Sequence, residues 1–531
     1  MTDSGWAGTG PAATDWTVAG VVRGHAAADP DGCAISTGDA DWSWAELDDR
    51  SSRVAQALAA AGVGAGDRIA FLDKNGAEYF EVLFGAGKVG AVNVAVNWRL
   101  AAAEMQYIVN DAEAKVLVVG PDFVGHLDQM RPGLDTVKTV VQIGGPADTA
   151  YEDWLGRQPP ADPGHVGAPG DVALQLYTSG TTGLPKGAML TNANFATIVT
   201  RVAAPWQLGA SSVNLVAMPL FHIGGSGWAL VGMAAGCRSE VVREAVPDAL
   251  LDLIDRRGVT NAFIVPALLQ VLCAVPGAAE RDYSDLRAIM YGASPITDRA
   301  LTVAMETFGC DFVQLYGLTE TTGAVTQLDA ADHDPGGPRA HLLRSAGRPY
   351  PWIDLRVVDP ESGEERPRGQ VGELWCRSTQ NMLGYWNKPD ATSAVITPDN
   401  SFKTGDAGYM DDEGFVFLTD RIKDMIVSGG ENVYPAEVEN VVASHPDVAD
   451  VAVIGVPDPK WGETVKAIVV AVPGSAPDPT AIISFCRERL AHFKCPTSVD
   501  FIGVLPRNPS GKILKRELRE PYWQGRERRI N

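Results

Sequence analysis

The chain is short of positive charge: among its 531 residues, 44 Lys and Arg stand against 66 Asp and Glu, a formal net charge of −22. A surface of that sign repels nucleic acid and anionic membrane, so neither is an expected partner. The seven cysteines, at 33, 237, 273, 310, 376, 486 and 495, are odd in number and form no Cys-x-x-Cys pair. That argues against a disulfide framework and a structural zinc, and it fits a reducing, cytoplasmic location. The eight histidines form no ligand-spaced cluster. No apolar run reaches the roughly 20 residues that cross a bilayer. Met1 to Thr17 lacks the basic-then-apolar order of a secretory signal. No transmembrane segment is expected, while peripheral membrane contact and a homodimer stay open. No internal repeat is visible.

What is present is the composition of a globular enzyme, 45% apolar and 21% charged. The length exceeds what one hydrophobic core supports, so at least two folding units are expected. Ser43-Trp44-Ala45-Glu46 reads as a capping box opening a helix that stops near Gly62. Strand-like runs at Arg68 to Leu72, Ala91 to Val96, Lys115 to Val119 and Thr139 to Ile143 follow, with a helix around Glu78 to Lys88. The alternation resumes with strands at Val213 to Ala217, Asn261 to Val265, Leu286 to Tyr291 and Asp311 to Leu315, and helices at Pro247 to Arg257 and Thr297 to Phe308. Such alternation builds mainly parallel sheets flanked by helices. Val357 to Glu413 turns to short strands, glycines and prolines, a small β subdomain. Beyond Asp420 to Asp424, strands at Val451 to Val456 and Lys466 to Val472 and helices at Ala436 to Ala443 and Pro479 to Leu490 make a compact α+β unit. Arg519 to Asn531 reads as a frayed, basic tail. The fold class is thus α/β, and the expected division is 1–420, a hinge at 421–424, and 425–531 as a small mobile lid.

One stretch carries the most chemistry. Thr178-Ser179-Gly180-Thr181-Thr182-Gly183-Leu184-Pro185-Lys186-Gly187 packs hydroxyls, glycines and a lysine directly after the strand-like Val172 to Tyr177. Glycines let backbone N–H groups face an anion, hydroxyls add donors and Lys186 adds a compact positive charge, so the loop suits a polyphosphate. An exposed turn has a similar makeup. The common ATPase loop does not fit, because Gly187 stands where Ser or Thr should follow the lysine. Three segments that look chemical, at 178, 291 and 316, fall at or beyond strand ends, where open α/β sheets collect ligands.

The pattern Tyr-Thr-Ser-Gly-Thr-Thr-Gly-Leu-Pro-Lys-Gly resembles the adenylate-forming enzymes, which include acyl-CoA synthetases, peptide-synthetase adenylation domains and firefly luciferase. Five further segments follow in that family's order: Met218 to His222, Tyr291 to Pro295, Gln314 to Thr321, Thr404-Gly405-Asp406 with Asp420-Arg421-Ile422-Lys423, and Pro506 to Lys512. The resemblance implies ATP, Mg²⁺ and coenzyme A as cofactors and a small carboxylic acid as substrate. It assigns Thr178, Ser179, Gly180, Thr181, Thr182, Gly183 and Lys186 to the β- and γ-phosphates. Glu320, with Thr178 nearby, would hold Mg²⁺, and Thr319 lies beside them. Gly292, Ala293, Ser294, Tyr316 and Gly317 would receive adenine, and Asp406 and Arg421 the ribose. Lys423 falls at the hinge, and Lys512 would reach the carboxylate and α-phosphate. Ser428, Gly429 and Gly430 would line the pantetheine path, although Val427 and Glu431 depart from the lysine and aromatic residue of luciferase-like and coumarate-type relatives. His222, Ile223, Gly225 and Gly292 would meet the acyl group. His222 replaces the aspartate that amino-acid-activating members use, which points to an uncharged acid. The implied activity is a fatty-acid–CoA ligase. Alternatives are an aryl-, alicyclic- or steroid side-chain-CoA ligase, a ligase loading a carrier protein, and a catalytically dead nucleotide-binding relative.

Overall fold

The computed structural model describes residues 16–38, 40–144, 150–178, 184–421, 424–428, 431–508 and 512–524. Its larger part is built on two mainly parallel sheets. Among the described residues one has nine strands, in the order Arg348–Pro349, Gly323–Leu328, Asp311–Leu318, Ala288–Gly292, Asn261–Ile264, Val213–Val216, Arg238–Val241, Cys33–Thr37 and Ala40–Ser43. The other has seven: Gly384–Tyr385, Lys186–Thr191, Val172–Thr178, Val92–Ala95, Arg68–Leu72, Val116–Val119 and Thr139–Gln142. Arg68–Leu72 and Val116–Val119 are buried along their whole length. That is why, past Arg68, they read as unbroken apolar runs, since helices cover both faces of a parallel sheet.

Helices Trp44–Ala60, Ala77–Lys88, Asn192–Val202 and Ile223–Ala234 contribute to one apolar cluster shared with strands of both sheets. The capping box is present: Glu46 N–H donates to Ser43 Oγ at 3.1 Å, and Ser43 N–H to Glu46 Oε2 at 2.8 Å. Gly62 follows the helix at φ +76°, a conformation that glycine adopts without strain. A four-stranded antiparallel sheet, Asp354–Val358, Gly372–Arg377, Ser401–Met410 and Val416–Arg421, forms the β subdomain.

From Ile426 onward a second, small α+β body forms around the long antiparallel pair Val448–Asp458 and Gly462–Ala471. Its apolar clusters draw on residues of this segment alone. The frayed tail expected from Arg519 to Asn531 needs correction in its first part, while residues 525–531 lie outside the described residues. Lys515–Trp523 is a helix, held down by Lys515 Nζ to Glu439 Oε1 at 3.0 Å, Arg519 Nη1 to Asp424 Oδ1 at 2.9 Å, and Trp523 Nε1 to Gly455 O at 3.0 Å. Its charges looked solvated because their partners lie at residues 424 to 455. No helix among the described residues is long and apolar enough to cross a membrane.

Candidate active site

The polyphosphate-suited loop joins two antiparallel strands instead of leading into a helix. Val172–Thr178 pairs with Lys186–Thr191, and Thr178 is the register partner of Lys186. Lys186 therefore stands across from the Thr178 backbone, with its Nζ 5.3 Å from the centre of the Tyr385 ring. At the described end of the loop the positive charge is that of Lys186, a compact ammonium suited to a phosphate. Ser179, Gly180, Thr181, Thr182 and Gly183 lie outside the described residues.

Glu320 arrives from the other sheet. The strand Asp311–Leu318 runs on through Tyr316, three residues past its expected end, and a single turn, Thr319–Thr321, follows. Thr321 Oγ1 pins that turn, receiving Leu318 N–H at 2.9 Å. Glu320 Oε1 accepts the Thr178 hydroxyl at 3.1 Å and the Tyr385 hydroxyl at 2.9 Å, while Oε2 has no hydrogen-bond partner among the described residues. Two hydroxyls thus saturate one oxygen and leave the other open. A hard divalent cation prefers such a carboxylate beside a hydroxyl, with phosphate and water completing its shell, so the donor set fits Mg²⁺. Tyr385 was missed from sequence. It lies 65 residues from Glu320, on a two-residue strand, Gly384–Tyr385, too short to give a pattern.

A third contact brings in the β subdomain. The Tyr316 hydroxyl donates to Asp406 Oδ2 at 2.8 Å, and both residues are buried. A bulge between Tyr316 and Gly317, against Gly323–Leu328, turns the strand at this point. Gly292 and Gly317 were expected to admit a base close to the backbone. The neighbouring strands already require them: a Cβ would lie 2.1 Å from Leu315 O at Gly292 and 1.9 Å from Gly323 O at Gly317. Ala293 has φ +66°, rare for a residue with a side chain. The Ser294 hydroxyl is buried with no hydrogen-bond partner among the described residues. Strain and an unsatisfied donor side by side are what a nucleotide-binding edge would contain.

His222 caps the helix Ile223–Ala234, its Nδ1 accepting Gly224 N–H at 3.1 Å. Enclosure by protein pushes its pKa down to about 4, so the ring is neutral at pH 7 with its proton on Nε2. The adjoining glycines serve packing: a Cβ at Gly225 would meet Pro219 O at 2.1 Å, and one at Gly224 would meet the Phe263 ring at 2.9 Å. Ile223 lies over Gly323, which brings the start of this helix to the strand after Glu320.

Residues 22–386 match the AMP-binding enzyme family and residues 437–512 match the AMP-binding enzyme C-terminal domain. The chain belongs to the AMP-binding enzymes. It is 41% identical over 96% of its length to the fatty acid–[acyl-carrier-protein] ligase ScoC of Streptomyces coeruleorubidus, covering 96% of that protein. Identity is 38% to a feruloyl-CoA synthase from an Amycolatopsis species, covering 93% of this chain and 96% of the relative. Against the long-chain-fatty-acid–CoA ligase FadD13 of Mycobacterium tuberculosis it is 37%, covering 91% and 94%. Among solved structures, ATP-bound MatB from Rhodopseudomonas palustris superposes with a TM-score of 0.87 at 31% identity, covering 95% of this chain and 99% of that one.

In this AMP-binding enzyme the first family match ends one residue after Tyr385, and the second ends at Lys512. Asn508 closes the loop that carries Lys512: its N–H donates to Lys512 O at 2.7 Å, and its Oδ1 accepts Lys512 N–H at 2.8 Å. Ser428 is the last residue of the strand Ile426–Ser428, paired with Glu431 and Gly462. Arg421 pairs through its backbone with Asp406. Lys423, Gly429 and Gly430 lie outside the described residues.

Proposed function

We propose that this protein activates a hydrophobic carboxylic acid, a medium- or long-chain fatty acid, as its acyl-adenylate and passes the acyl group to the thiol of coenzyme A, releasing pyrophosphate and AMP. The observation that carries the reading is the Glu320 carboxylate, tied by Thr178 and Tyr385 on one oxygen and open on the other, at the mouth of the hairpin that carries Lys186.

A carboxylate is a poor acyl donor, and attack on the α-phosphorus of ATP turns AMP into its leaving group. The demand is for stabilised negative charge on the phosphates, not for a protein nucleophile. Lys186 and the Thr178 hydroxyl would hold the outer phosphates. Glu320 and Thr178 would hold Mg²⁺, which supplies positive charge to the phosphate oxygens when bound. Tyr316 would face the adenine and Asp406 the ribose hydroxyls, with the Tyr316–Asp406 hydrogen bond fixing both. Neutral His222 would border an uncharged acyl group without trapping an ammonium. Lys512 would reach the α-phosphate from the small body, with residues 1–420 and 425–531 as the moving parts about 421–424. The separate apolar clusters on either side of that stretch support the division.

Purified protein with ATP, Mg²⁺, coenzyme A and a panel of alkyl, aryl and alicyclic acids should release AMP and thioester, best with alkyl chains. No product from any acid class would end the reading. A carrier-protein thiol as acceptor is a second reading, favoured by the 41% identity to a fatty acid–carrier-protein ligase and by Val427 and Glu431. Comparing yields with free coenzyme A and with a phosphopantetheinylated carrier separates the two.

A further inference from the structure

Behind the phosphate-loop hairpin lies a carboxylate that the activation chemistry does not use. Asp111 is the last residue of the helix Ala102–Asp111, and its side chain is 8% exposed. A carboxylate at that end of a helix opposes the macrodipole, so partners must compensate for it. Three do. The Tyr177 hydroxyl donates to Oδ2 at 2.8 Å, and Lys388 Nζ donates to Oδ1 at 2.7 Å. The Tyr107 hydroxyl, one helical turn earlier, lies 3.2 Å from Oδ1 and 3.3 Å from the Pro185 carbonyl, its proton shared between them.

These contacts reach the candidate site, directly through Tyr177 and Lys388 and, by way of Tyr107, through the Pro185 carbonyl. Tyr177 precedes Thr178, Pro185 precedes Lys186, and Lys388 follows Tyr385 by three positions. A second line runs beside the first: Arg68 Nε donates to Gln175 Oε1 at 3.4 Å, Gln175 Nε2 lies 3.3 Å from the Tyr177 hydroxyl, and the Arg68 guanidinium stacks 3.3 Å over the Trp386 ring. Gly187 accounts for the room this needs. Across the hairpin from Tyr177, a Cβ on Gly187 would come within 2.5 Å of Gln175 Nε2 and 3.0 Å of the Tyr177 ring.

We propose that Asp111 is the positioning residue of the triphosphate seat. One buried carboxylate holds the outgoing strand, the incoming strand and the Tyr385 segment from behind, and so fixes the spacing of Thr178, Lys186 and Glu320. It touches neither substrate nor metal and acts through Tyr177, Tyr107 and Lys388. A displacement near 1 Å in such groups is worth about a hundredfold in rate, so the effect should be large for a residue outside the chemistry.

The inference rests on the hairpin as the seat of ATP, and its test is calorimetric titration of the full chain with MgATP, which needs no acid substrate. Asp111→Ala should weaken ATP binding and raise the KM for ATP in pyrophosphate exchange about tenfold or more. Asp111→Asn and Tyr177→Phe should each do so by a few-fold, and Asp111→Glu should recover part of the loss. Thioester formation from supplied acyl-adenylate should stay within about twofold of wild type, because it needs no triphosphate. If Asp111→Ala fails to fold, Tyr177→Phe and Lys388→Met carry the test, since both leave the carboxylate in place. Unchanged ATP affinity in these variants, or equal losses in both half-reactions, would overturn the proposal. A wild type that binds ATP yet activates no acid would count against the substrate assignment and leave Asp111 standing.

Discussion

Thr178 and Glu320 are 142 residues apart in sequence and 3.1 Å apart in space, hydroxyl to carboxylate. That hydrogen bond joins the seven-stranded sheet to the nine-stranded one where a triphosphate and its metal would sit. Glu320→Gln keeps the shape and removes the charge. It should lower acid-dependent pyrophosphate exchange by about 10²–10³, and raising Mg²⁺ should restore part of it. Thr178→Ala should cost less, about tenfold, because the open Glu320 oxygen remains. An unchanged exchange rate in Glu320→Gln would remove Glu320 from the metal site.

Lys512→Ala should separate the half-reactions. Adenylation, read as pyrophosphate release, should fall by about 10²–10³, whereas thioester formation from supplied acyl-adenylate should change by only a few-fold. Equal loss in both would contradict a side chain that serves only the first step.

Two glycines offer a stability contrast. Gly317→Ala would press a methyl into the backbone oxygen of Gly323, 1.9 Å away, where nothing flexible can yield. Gly405 has φ +70° and open space around it, so Gly405→Ala meets only backbone strain. Denaturant unfolding should show a loss of about 3 kcal/mol or more for the first and about 1 kcal/mol for the second. Similar losses would mean that the strand around Gly317 relaxes.

A buried histidine sets an acid limit on stability. His333 donates Nδ1–H to Asp329 O at 2.9 Å and receives the Tyr291 hydroxyl on Nε2 at 2.9 Å, an arrangement that needs the neutral ring. Burial pushes its pKa down from 6.5 to about 4. Between those values the unfolded chain binds a proton that the folded chain refuses. Stability should therefore be complete above pH 6.5 and fall by up to about 3 kcal/mol as pH drops toward 4. His333→Gln should flatten the pH dependence of the unfolding midpoint between pH 6.5 and 4. An unaltered slope would place the acid sensitivity elsewhere, with His222, also lowered to about 4, the next residue to replace.

Strand positions were legible wherever burial on both faces produced an apolar run: Arg68–Leu72 has the bounds the sequence suggested, and the capping box at Ser43 is in place. Partners far along the chain were not legible. Tyr385 and Asp111 reach the site through tertiary contacts only, and nothing local marks Tyr385 as the second donor to Glu320. Gly292, Gly317 and Gly225 were noticed but explained through ligands, because their requirement comes from carbonyls of neighbouring segments. The helix Lys515–Trp523 hid behind a run of charges whose partners appear only after folding.

Three sheets contribute to the seam formed by Thr178, Tyr316, Glu320 and Asp406. Contacts of such long range close large loops, and the three sheets share one apolar cluster, so the seam depends on the sheets packing together. A chain in which the sheets have not met would hold Lys186 and Glu320 apart, and it should consume no nucleotide. Turnover at this seam would then report a finished tertiary structure, and a destabilised variant should fall silent before it becomes promiscuous.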